Sequence, residues 1–116
     1  MVGINTGRIF LMKLEETNMI DLLKVTADEI VSGYKARGLK PRVNHVSVES
    51  GGCCALGILF PDCLSTSEVH RRYSQIMAGH FGAGFDYGLM NRAISRVENE
   101  YFMRGHMIGV ACRAIT

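Results

Sequence analysis

FGAGFDYG at residues 81–88 and FMRGHMIG at residues 102–109 share one spacing, F-x-x-G-x-x-x-G. Glycine inside a helical pattern costs about 1 kcal/mol relative to alanine. Glycines four apart let two helix backbones approach closely, for a steric reason that is not confined to membranes. The bland alternative is coincidence in a chain with 13 glycines. On the first reading Gly84, Gly88, Gly105 and Gly109 form a helix-packing interface. Gly105 supports it, because it stands where the surrounding stripe calls for a large residue. The expected partner for that face is a second copy of the chain.

The stripe is formed by Phe85, Leu89, Ala93, Val97, Tyr101, Ile108, Cys112 and Ile115, mostly at steps of four. This periodicity predicts a long C-terminal helix over about 86–114, with Gly105 as the one candidate break. Upstream, Ser65-Thr66-Ser67-Glu68 has the pattern of a capping box, and Val69, Tyr73, Ile76 and Met77 continue as an apolar face. That predicts a helix over 66–79, ended by Gly79 and Gly82. GGCCALGILF at 51–60, closed by Pro61-Asp62, predicts a short buried helix over 52–60. Ile20, Leu23, Ala27, Ile30, Val31 and Tyr34 share one helical face. With Lys35 and Arg37 before Gly38, and Pro41 beyond, they predict a helix over 18–37. Residues 43–48 read as a short strand or an extended loop. A strand there would need residues 8–12 or another subunit as its neighbour. The expectation is a mainly α single domain over 1–116: a compact bundle of about four helices after a lead-in at 1–13.

Composition narrows the function classes. Apolar residues make up 47% of the chain and aromatic residues 8%, which favours burial by self-association into a dimer or larger homo-oligomer. A net charge of +2 is too small to imply nucleic acid by itself. No run approaches the roughly 20 apolar residues of a membrane span. No secretory signal is legible, so a cytoplasmic setting with four free thiols is expected.

CCALG at 53–57 and GFDYG at 84–88, followed by an aromatic residue and a later G-x-x-x-G, carry a resemblance. Together they resemble a loose family of small uncharacterised bacterial proteins that pair a Cys-Cys-x-Leu-like element with a Gly-Phe-Asp-x-Gly element. The resemblance implies a compact helical fold and assigns no activity, cofactor or catalytic residue.

Few residues offer chemistry. Cys53 and Cys54 sit at a predicted helix start, where free N–H groups favour thiolate. As small apolar side chains they equally suit a core. Adjacent cysteines do not match a C-x-x-C redox motif. The four cysteines and four histidines have no recognised metal-ligand spacing, so no metal or cofactor is expected. Asp86 either caps a helix or binds a ligand together with Tyr87 and His80. Lys35, Arg37, Lys40 and Arg42 form one basic run and Arg71-Arg72 a second, a pattern that helix-end solvation explains as well as phosphate binding does. The favoured function is a small self-associating binding protein without enzymatic activity. The runner-up is a small-molecule binder or thiol enzyme with a pocket around Cys53, Cys54 and Asp86. A nucleic-acid accessory role is third.

Overall fold

The computed structural model describes residues 20–43, 46, 51–94 and 99–116. Five α-helices dominate: α1 (Ala27–Arg37), α2 (Ala55–Leu59), α3 (Thr66–Arg72), α4 (Gln75–Leu89) and α5 (Glu100–Cys112). Two short strands, β1 (Lys40–Pro41) and β2 (Gly52–Cys53), and 3-10 turns at Leu22–Lys24 and Arg113–Ile115 complete the described elements. Helix dominates as expected, but the segmentation differs in ways that matter for function.

The two F-x-x-G-x-x-x-G segments lie on α4 and α5 and pack against each other within one chain. A Cβ on Gly84 would collide with the Phe102 carbonyl, and one on Gly105 with the Phe81 carbonyl. One turn on, Gly88 faces the His106 carbonyl and Gly109 faces that of Phe85. The contacts advance together along both helices, so α4 and α5 run in the same direction. They are also reciprocal: exchanging the two helices maps each contact onto another, which is a local twofold seam. Backbone approach this close leaves no space for any side chain, and this accounts for glycine at all four positions. The expected face for a second copy is therefore filled by the chain itself.

This seam requires two helices where one was expected over 86–114. The break lies at Met90–Asn91 and not at Gly105. Asn91 adopts a left-handed φ of 59°, which asparagine tolerates better than most residues. Asn99 restarts the helix, its Oδ1 accepting from the Phe102 amide at 2.9 Å. Gly79 and Gly82 do not end a helix. The 66–79 segment divides earlier, at Tyr73–Ser74, where Ser74 Oγ accepts from the Met77 amide at 3.1 Å and starts α4. Asp86 consequently lies inside α4 and does not cap it.

The N-terminal segment divides as well. Thr26 and Glu29 form a reciprocal capping box: Glu29 N–H donates to Thr26 Oγ1 (3.2 Å) and Thr26 N–H to Glu29 Oε1 (2.9 Å). The box starts α1 at Ala27, and the expected helix over 18–37 keeps only its C-terminal part. Residues 18 and 19 lie outside the described residues. Gly38, at φ 66°, closes α1 as expected.

The expected helix over 52–60 begins later, because Gly52–Cys53 pair in parallel with Lys40–Pro41. The ladder uses the amides of Lys40 (to Gly51 O, 3.1 Å) and Arg42 (to Cys53 O, 3.0 Å), so Pro41 loses nothing by lacking an N–H. Of the expected strand at 43–48, only Val43 and Val46 are described, and neither belongs to a strand.

One buried cluster joins these elements, from Ile20 and Leu22 through Ile30, Tyr34, all of α2, Phe81 and Phe85 to Ile108 and Cys112. α2 is buried on every side, as an apolar helix of its composition requires. Tyr34 donates its buried hydroxyl to the Cys53 carbonyl at 2.6 Å and so ties α1 to the start of α2.

Candidate ligand-binding cleft

The face of α4 opposite the glycine seam is built differently. Gly79, Gly82, Ala83 and Asp86 recur at helical spacing and line a cleft of about 330 Å³, with Cys54 just before α2, Leu56 from α2, and Thr66 and His70 from α3. Tyr87, Met90 and Arg92 complete the lining at the end of α4. The small residues keep it open. The nearest atom to a Cβ built on Gly79 is His70 Nε2, at 3.9 Å. Gly82 is tighter, with Leu56 Cδ1 at 3.1 Å from such a Cβ.

Of the residues expected to form a site, Cys54, Asp86 and Tyr87 meet in this cleft, whereas Cys53 and His80 do not line it. Cys53 is wholly buried beneath α2, where a Cβ on Gly57 would meet its Sγ at 2.9 Å. His80 is exposed on α4. Three contributors come from elsewhere: His70, Thr66 and Arg92. His70 Nε2 is buried and has no hydrogen-bond partner among the described residues. The one sequence signal for this pair was Thr66 and His70 standing four apart on a single helix.

The thiols lie outside the nucleophile range. Burial pushes Cys54 up to about 12, helped by the negative charge of Asp86. The Leu56 and Gly57 amides at the start of α2 oppose that rise without overcoming it. Burial likewise raises Cys53 to about 11 against the pull of Arg37, and Cys112 to about 12. Near neutral pH each is a protonated thiol, and the helix-start effect is outweighed by desolvation.

Tyr87 links the cleft to the seam. Its ring packs edge-on against Phe102 of α5, with centroids 5.2 Å apart, and the Arg92 guanidinium stands 4.2 Å from the ring centre. The basic runs are divided between element ends. Lys35 and Arg37 end α1, with Arg37 bonded to the Gly57 carbonyl at 3.2 Å, while Arg71 and Arg72 end α3. Among the described residues no group of three or more His, Cys, Asp or Glu side chains is placed to hold a metal ion, and no helix is long and apolar enough to cross a membrane. Comparison with family models, curated proteins and solved structures gives no match to this chain.

Proposed function

We propose that this protein binds a small molecule in the cleft between α4 and the α2–α3 segment. The observation that carries the reading is His70 Nε2, a buried atom of a cleft-lining residue that stands 3.9 Å from where a Cβ on Gly79 would lie and has no partner among the described residues. A buried polar atom of this kind normally has a partner, and in a cleft lined by Cys54, Asp86 and Arg92 a ligand can supply it. The protonated state of Cys54 favours binding over thiol catalysis. The resemblance of the CCALG and GFDYG elements to small uncharacterised proteins adds no residue role.

Ligand-observed NMR with a fragment library tests the proposal on the wild type and on Gly79→Leu, which fills the cleft without touching the seam. The expected result is a set of fragments that bind the wild type and are lost in the variant. Equal binding to both proteins, or none to either, contradicts the reading.

Self-association, in a cytoplasmic setting, is a second reading. It is supported by the outer face of α5, where Met103, Met107 and Val110 recur at helical spacing and are each over 40% exposed. Light scattering at micromolar concentration should then give a dimer or larger mass. A monomer mass rejects it.

A further inference from the structure

On the outer side of α5, Glu100, Met103, Arg104 and Met107 line a groove together with Leu23 of the 3-10 turn at Leu22–Lys24. With Val110, the two methionines make up three of the six large hydrophobic residues exposed among the described residues. Apolar exposure gathered on one helix face marks an interaction surface, whereas single scattered residues do not. The charges of the groove are as informative as its methionines. Glu100 is exposed in the first turn of α5, and Arg104 is half-buried one turn on. Side chains four apart on a helix can pair with each other. These two do not. Arg104 donates to the Val25 carbonyl at 3.3 Å, and among the described residues the Glu100 carboxylate makes no hydrogen bond or ion pair.

Resting on the reading of self-association, we infer that this groove is an isologous interface in which α5 of a second copy lies antiparallel to α5 of the first, centred on Met103. The order of the charges selects both the partner and its direction. A helix that matches the groove must carry an acid, a base four residues later, and apolar side chains around them. α5 itself carries that pattern. Antiparallel about Met103, the two helices bring Glu100 of each copy beside Arg104 and Met107 of the other, and the twofold axis makes the contact twice. A parallel pair would set Glu100 against Glu100 and Arg104 against Arg104, and like charges across an interface are costly. The helix dipoles favour the antiparallel direction as well. A guanidinium has five N–H donors, so Arg104 can keep its bond to Val25 while taking a carboxylate. The glycine face of α5 is already covered by α4, which leaves the outer face for the second copy.

Thiol cross-linking with a short bismaleimide tests this geometry on Met103→Cys and Val110→Cys. The wild type, whose four cysteines are all buried, is the blank. Both substituted positions are exposed, so neither change disturbs the core. In the inferred arrangement position 103 meets its own copy at the axis. The two copies of position 110 are offset by about 14 residues of helix, roughly 21 Å. The expected result is a covalent dimer from Met103→Cys, at a yield about tenfold or more above that from Val110→Cys. Equal cross-linking at both positions is the signature of a parallel pair and overturns the inference. Glu100→Arg, an exposed change, sets like charges across the axis and should weaken the dimer about tenfold or more. A dimer unchanged by that reversal also overturns the inference. If light scattering gives a wild-type dimer but Met103→Cys does not cross-link, this interface is wrong and self-association stands. If the wild type is a monomer, both fail.

Discussion

Cys53, Cys54 and Cys112 show what burial does to a side chain that sequence alone leaves ambiguous. Each is almost fully enclosed, and each thiol is raised to about 11 or 12 by desolvation. The pH dependence follows. In the unfolded chain these thiols ionise near their ordinary value of about 8.5, whereas in the folded chain they hold their protons to higher pH. Their contribution to stability is therefore fully present below the unfolded value. It declines as pH rises through the window from there to the folded values, because the unfolded state alone loses protons. Urea unfolding at stepped alkaline pH should show stability falling across that window, and iodoacetamide should label the native thiols far more slowly than the unfolded ones. Fast native labelling near neutral pH would contradict the burial account. That the cysteine pair packs was legible from the apolar run it leads. His70 was not, because a single histidine on an amphipathic helix gives no sign of what faces it. Only the break at Tyr73–Ser74 turns α3 so that His70 meets the bare backbone of Gly79.

The boundaries of the helices were set by caps more than by periodicity. The apolar stripe over 20–34 continues through Val25 and Thr26, and periodicity alone predicts an unbroken helix. Thr26 and Glu29 nevertheless stand at capping-box spacing, and that local signal is the one the structure follows. Ser74 and Asn99 act in the same way for α4 and α5. The apolar period ran on through these caps because core residues on both sides of each break face one common interior. Thr26→Ala removes the side-chain half of the box and should cost about 1 kcal/mol, while Thr26→Ser should stay near wild type. Chemical denaturation reads both. An unchanged midpoint for the alanine variant would mean that packing of Ile30 and Tyr34 alone defines the start of α1.

At the scale of the whole molecule, α4 is a helix with two opposed requirements. One face must come within backbone contact of α5, and the other must leave room at Gly79, where no atom stands closer than His70 Nε2. The repeated F-x-x-G-x-x-x-G spacing was visible in the sequence, but its partner was not. Periodicity says that a face is small and says nothing about whether a second copy or the same chain covers it. The unbroken stripe from Phe85 to Ile115 also concealed that the two segments lie on separate helices. Gly105 and Gly79 separate the two requirements. A Cβ at Gly105 collides with the Phe81 carbonyl and comes within 2.9 Å of the Phe85 amide nitrogen, so alanine must force α4 and α5 apart. Overpacking of that kind costs about 1–3 kcal/mol. A Cβ at Gly79 meets nothing closer than 3.9 Å, so alanine there should gain the helix-propensity advantage of about 1 kcal/mol. Thermal unfolding of Gly105→Ala and Gly79→Ala beside the wild type is the most direct test. Gly105→Ala should melt below the wild type and Gly79→Ala above it. A Gly105→Ala variant as stable as the wild type would contradict the intramolecular seam.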